Sequence, residues 1–220
     1  MADTQPTDTS CRRCGTQNRA GAGFCRHCGG ALQSVPPRLG GAGGIKRLLM
    51  MFINPGALIR NHLADYSWPW ALGVSGLAFM LFFLQTGMDL VRVKKLGAAG
   101  AVWLTVNGIA YGTVGVALLA GVAWLGCRSV GTGHSYVWTV RAFGLGYCPT
   151  LVYVVIGLFA NLLFGWNTSV AFGVTGTLWA MSPMNAAIKE MTAGKTGYSI
   201  ALTCLCGGLL LFGWAFVGTR

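Results

Sequence analysis

Trp68 to Gly87 reads WPWALGVSGLAFMLFFLQTG, twenty residues without an Asp, Glu, Lys, Arg or His. A bilayer's hydrocarbon core, about 30 Å thick, is crossed by about 20 apolar residues in a helix. The stretch therefore reads as a transmembrane helix. A secretory signal would begin near the first residue and carry a shorter apolar run, whereas sixty-seven residues precede this one.

The rest of the chain agrees with that class. Hydrophobic residues make up 54% and charged residues only 10% of the 220 positions, against about 25% charged in a soluble domain. The 34 glycines fit as well, since Gly is commoner in membrane helices than in soluble ones. Four further apolar runs follow: Val102 to Cys127, Phe143 to Trp166, Ser169 to Ile188 and Ser199 to Gly218. The expected fold class is thus an all-α polytopic bundle of five transmembrane helices, with its termini on opposite sides of the membrane.

The formal charge is +11, from 16 Lys and Arg against 5 Asp and Glu. Eight basic residues precede the first span: Arg12, Arg13, Arg19, Arg26, Arg38, Lys46, Arg47 and Arg60. With the N-terminus inside, Arg128, Arg141, Lys189 and Lys195 join them, leaving Arg92, Lys94, Lys95 and Arg220 outside. The asymmetry satisfies the positive-inside rule; the cluster Arg92, Lys94, Lys95 runs against it. Met1 to Ser10 is polar and has no apolar core, so no secretory signal is expected. The expected location is a multi-pass integral protein of a prokaryotic inner membrane with a cytosolic N-terminus.

The chain divides into a disordered tail over 1–10, a cysteine module over 11–30, a flexible linker over 31–44, interfacial amphipathic helices over 45–66 and the membrane domain over 67–220. The linker carries Pro36-Pro37 and the glycines of Gly40 to Gly44. Ile45, Leu48, Leu49 and Phe52 recur at helical spacing. Asn54-Pro55 then supplies an N-cap and a first-turn proline for a second short helix, with Ile59, Leu63 and Tyr66 on one side.

Cys11-Arg-Arg-Cys14-Gly15 and Cys25-Arg-His-Cys28-Gly29 are two CxxCG knuckles. Each offers two thiolates from one tight turn, which suits the four-coordinate tetrahedral zinc of a structural site. A cytosolic location argues against disulfides. Cys11, Cys14, Cys25 and Cys28 are therefore the expected ligands of one structural Zn²⁺ with no open position for catalysis. Arg12, Arg13 and Arg26 lie where they offset the excess thiolate charge. The module resembles the short zinc ribbons at the N-termini of many prokaryotic proteins, through its CxxCG pairs, the turn from Asn18 to Gly21 and Phe24-Cys25. Nucleic acid is not an expected partner, because Phe24 is the module's single aromatic residue and stacking platforms carry much of single-strand affinity.

Other motifs read as packing. Gly73-Val74-Ser75-Gly76 is similar to the GxSG nucleophile motif of rhomboid intramembrane proteases, but the one downstream histidine, His134, falls in a loop. Gly108 to Gly112 forms a GxxxG face suited to close helix contact. Asn107 and Asn161 are the amides set deepest in the spans, and interhelical hydrogen bonds are their expected role. Cys127, Cys148, Cys204 and Cys206 read as small apolar residues. None of the acids Asp3, Asp8, Asp65, Asp89 and Glu190 falls in a span core, where coupled transport usually places ionisable groups.

From Asn54 onward the chain resembles the Yip-domain family of five-span membrane proteins. The resemblance rests on Asn54-Pro55, on Gly131 to Gly133 before Thr139-Val-Arg-Ala-Phe-Gly-Leu-Gly-Tyr-Cys-Pro149, and on Ser182-Pro-Met-Asn-Ala-Ala187. Eukaryotic members act in vesicle trafficking and bind Rab-type GTPases, and the ribbon departs from that pattern. The resemblance implies a non-enzymatic scaffold or adaptor whose ribbon recruits a cytosolic protein, with homo-oligomers compatible. The alternative is a small channel or transporter formed by the bundle.

Overall fold

The computed structural model describes residues 9–11, 14–18, 25, 27, 49–130 and 134–218. Cys28, the knuckle arginines, Phe24, the 31–44 linker, Ile45, Leu48 and Gly131 to Gly133 lie outside these residues.

Asn54 caps the first fully described helix, α1 (Pro55–Asn61), by accepting Ala57 N at 3.0 Å through Oδ1, with Pro55 in the first turn. The Asn-Pro expectation holds. A 3₁₀ turn over Leu63–Asp65 follows. Residues 49–53 are helical ahead of it. Of the anticipated stripe, Leu49 is exposed and Phe52 half-buried, while Met51 is buried with Leu58, Ile59, Leu63 and Tyr66. Burying a side chain such as Leu58 or Ile59 is worth about 1.5–3 kcal/mol relative to leaving it in water. α1 thus packs its apolar face on the bundle.

Ser67 caps α2 (Trp68–Arg92), its hydroxyl accepting Trp70 N at 3.4 Å. α3 runs over Ala98–Arg128 with a π-helical turn at Tyr111–Gly115, and α4 over Tyr136–Phe164. α5 opens as the π-helical Ser169–Val174 and continues through Thr175–Met191; α6 is Thr196–Gly218. Four helices, α2, α3, α4 and α6, are long and apolar enough to cross a membrane. α5 is as long, but its Thr, Ser, Asn and charged residues dilute its apolar character.

Each of these helices passes at least one bound drawn from charge-free runs, because helix continues through flanking polar residues until a cap or turn stops it; α4 alone also stops short, at Phe164 rather than Trp166. The largest shift is in α4, which starts at Tyr136 rather than Phe143, capped by Ser135 accepting Trp138 N at 3.2 Å. Pro149 therefore lies about midway along α4, further from its start than the run from Phe143 implies. Lacking an N–H, it follows a break at Tyr147 between the helical stretches Tyr136–Gly146 and Cys148–Phe164.

α2 is the axis of the bundle: 61% of its most apolar window is buried, against 33% to 39% in the other three apolar helices. Glycines set how closely its neighbours approach. A Cβ at Gly108 would lie 2.6 Å from Phe79 O, and one at Gly144 2.6 Å from Ala71 O. Side-chain registers give the directions. Gly87 faces Ala101 and Gly112 faces Ser75, so α3 runs antiparallel to α2. Thr150 Oγ1 donates to Gly176 O at 2.8 Å, and Gly146 faces Pro183, so α5 runs antiparallel to α4. Gly207 faces Met181 on α5, and Tyr198 OH donates to Gly126 O at 2.7 Å, so α6 opposes both α5 and α3. The helices alternate in direction from α2 to α6.

An aromatic cluster fills the interior. Phe79 packs on Tyr111 and Tyr147 with ring centroids 5.3 and 5.0 Å apart, and Phe82 stacks on Trp214 at 5.1 Å. Outward faces are apolar, with Trp103, Leu118, Leu125, Phe159, Leu163 and Phe212 all more than half exposed. Such a band suits a lipid environment.

Candidate metal centre

β1 (Thr9–Ser10) pairs antiparallel with β2 (Gln17–Asn18), Thr9 opposite Asn18 and Ser10 opposite Gln17. Between them the first knuckle turns: Gly15 N donates to Cys11 O at 2.8 Å and Cys11 N to Thr16 O at 3.0 Å. Gly15 adopts φ +71°, a left-handed conformation that a side chain would disfavour. This explains the glycine after the second cysteine of the knuckle.

The Sγ atoms of Cys11, Cys14 and Cys25 lie within 4.8 Å of one another. Cys14 Sγ is 3.4 Å from Cys25 Sγ. Zn–S bonds of about 2.3 Å in a tetrahedron separate the sulfurs by about 3.8 Å, so the observed spacing fits such an ion. Two N–H groups aim at Cys25 Sγ: Asn18 Nδ2 at 3.5 Å and His27 N at 3.4 Å. Donors of this kind orient a metal-bound thiolate and stabilise its charge. Cys11 and Cys25 are buried and Cys14 is exposed. Three of the four expected ligands are thus brought together; Cys28 falls outside the described residues. Asn18 was expected only as a turn residue. Its place beside the sulfurs follows from the strand pairing, which no local motif announces.

The bundle holds a second polar group, which the charge-free runs hid. Asp89, on the last turns of α2, is 8% exposed. Its Oδ1 accepts Asn161 Nδ2 at 2.7 Å and its Oδ2 accepts Ser169 N at 2.8 Å. Arg92 Nη2 donates to Asn161 Oδ1 at 3.0 Å and Nη1 to Trp166 O at 3.0 Å, while Nη1 lies 4.0 Å from Asp89 Oδ1. This staple joins the ends of α2 and α4 to the start of α5. It gives Arg92, the discordant cation in the charge count, a structural role. Asp89 is buried in the helix that was expected to end before it. The i,i+3 Asp89–Arg92 spacing was the available signal.

Asn161 makes the expected interhelical bond. Asn107 does not: its Nδ2 donates to Trp103 O at 2.8 Å within its own helix. Ser75 is fully buried, and its hydroxyl donates to Gly112 O at 2.7 Å across the α2–α3 contact. The GxSG and GxxxG motifs therefore meet in one packing interface. Gly144 approaches α2 closely, whereas a Cβ at Gly146 would meet only Pro183 Cβ at 3.4 Å. Cys127, Cys148 and Cys206 are buried in the bundle and Cys204 is exposed.

At the opposite end from the staple, Arg60 Nη1 lies 3.7 Å from Glu190 Oε2, joining α1 to the end of α5. His134 stacks on Trp138 with centroids 4.1 Å apart, and its Nδ1 is buried without a partner among the described residues. Burial holds its pKa down to about 4.

No family model matches the chain, and no curated protein or solved structure matches it either.

Proposed function

We propose that this protein is a non-enzymatic membrane scaffold, crossing the bilayer five times, whose cytosolic ribbon recruits a protein partner. In this reading α5 is the fifth crossing. Support comes from its two ends: Ser169 meets Asp89 at the staple, while Glu190 meets Arg60 beside α1. α5 thus spans the same distance as its neighbours, with Ser169 and Thr177 buried and Thr175 and Ser182 exposed. Asn185 accepts from Thr203 Oγ1 of α6 at 3.5 Å.

The observation that carries the scaffold reading is the aromatic filling of the bundle axis. Phe79, Phe82, Phe83, Tyr111, Tyr147 and Trp214 occupy the space through which a solute would pass. This favours an anchoring role over the channel or transporter alternative. Recruitment then belongs to the ribbon. Cys11, Cys14, Cys25 and Cys28 would hold a structural Zn²⁺, which supplies folding energy to a module too small for its own core. In keeping with the Yip-domain resemblance, the proposed role is membrane organisation or trafficking, and the proposed location is a prokaryotic cytoplasmic membrane.

Crosslinking in native membranes followed by mass spectrometry tests the proposal. A cytosolic protein should be captured by the wild type and lost in the Cys11→Ser/Cys14→Ser variant. Capture undiminished in that variant, together with solute flux in proteoliposomes, would transfer the function to the bundle.

A further inference from the structure

A groove of about 340 Å³ opens at the end of the bundle where α2 begins, lined by Trp68, Leu72, Ala117, Tyr136, Val137 and Val140. Its walls come from α2, α3 and α4 and are largely apolar. Trp68 and Val137 are 51% and 43% exposed, so the groove opens to the surroundings rather than into the core. Tyr136 forms one side, held by its OH donating to Ala117 O at 2.9 Å.

One cation, Arg128, stands outward of the lining residues. Trp124 packs on Tyr136 with ring centroids 6.1 Å apart, and the Arg128 guanidinium lies over the Trp124 ring at 5.3 Å. Two long helices, α2 and α4, also start here, and their caps Ser67 and Ser135 each satisfy one amide. The remaining first-turn N–H groups of α2 and α4 carry partial positive charge, while α3 ends at Arg128 and brings its negative dipole end to the same side, where the guanidinium offsets it. The acid nearest in sequence, Asp65, is paired with His62 at 3.5 Å.

We propose that this groove is a binding site for an anionic glycerophospholipid of the leaflet at the α2 start. One acyl chain lies along Leu72, Ala117 and Val140, and the headgroup phosphate sits beside Arg128. The inference rests on the bundle crossing the membrane, not on recruitment by the ribbon. Charge complementarity selects the occupant: an apolar slot alone would take any chain, while the exposed Arg128 cation favours an anionic head.

Native mass spectrometry of the full-length protein, offered equimolar phosphatidylglycerol and phosphatidylcholine, tests it. The wild type should retain phosphatidylglycerol in preference. Arg128→Gln, at an exposed position, should keep a lipid adduct but lower that preference about fivefold, the weight of one basic residue at an anionic surface. Val137→Phe, on the exposed wall, should remove the adduct by filling the slot without disturbing the core; Ala117→Phe should do the same from the groove floor. Equal retention of the two lipids by the wild type, an unchanged preference in Arg128→Gln, or an undiminished adduct in a folded Val137→Phe protein would overturn the assignment.

Discussion

At the residue scale, glycines and one buried carboxylate carry the packing. Gly112 and Gly144 meet backbone of α2 where any Cβ would collide, whereas Gly146 has ordinary contact distance to Pro183. Overpacking typically costs about 1–3 kcal/mol. Gly112→Ala and Gly144→Ala should therefore lower the unfolding temperature in detergent, while Gly146→Ala should leave it nearly unchanged. Asp89→Leu should cost at least as much, because it strands Arg92, Asn161 and the Ser169 N–H at a buried helix junction; loss of a buried partner costs about 1–3 kcal/mol, and more for charged groups. His134 gives a pH signature. Its pKa is depressed to about 4 in the fold by burial, from about 6.5 when unfolded. The unfolded chain thus takes up the proton first. Stability from this group is complete above about pH 6.5 and is lost as pH falls toward 4. His134→Gln should flatten the melting-temperature profile across that window; an unaltered slope would show that another group governs it.

At the element scale, α5 divides four apolar helices from five crossings. Its hydrogen-bonded ends lie at opposite ends of the bundle, so cysteines introduced at Asn167 and Gly194 should label from opposite sides in intact spheroplasts. Labelling of both from one side would remove α5 as a crossing. The helices were legible in the sequence because Trp68 to Gly87 and its successors lack charge, and Asn54-Pro55 announced a cap that the structure contains. Their limits were less legible. Helix geometry continues through Asp89, Arg92 and Tyr136 as long as caps and tertiary partners permit, and those partners lie about seventy residues away. Hydropathy likewise could not place the start of α4 at Tyr136, since Arg141 interrupts the apolar run before Phe143. The knuckles were readable from CxxCG spacing alone, whereas the Asn18 donor to Cys25 became visible only through the pairing of β1 with β2.

At the scale of the whole molecule, the account joins two units stabilised by different forces. The bundle is held by close helix contact, an aromatic interior and the Asp89 staple. The ribbon has a two-stranded hairpin and a cluster of thiols, and metal binding is its expected source of folding energy. The proposed inside N-terminus places recruitment in the cytosol and leaves the bundle as anchor. A reporter fused after Arg220 should accordingly read as external. Elemental analysis of the purified full-length protein, paired with thermal unfolding of the bundle, tests the separation most directly. The account predicts one zinc per chain in the wild type, none in Cys11→Ser/Cys14→Ser, and coincident bundle melting curves for the two proteins. Wild-type protein without zinc, or a double variant whose bundle melts well below the wild type, would contradict it.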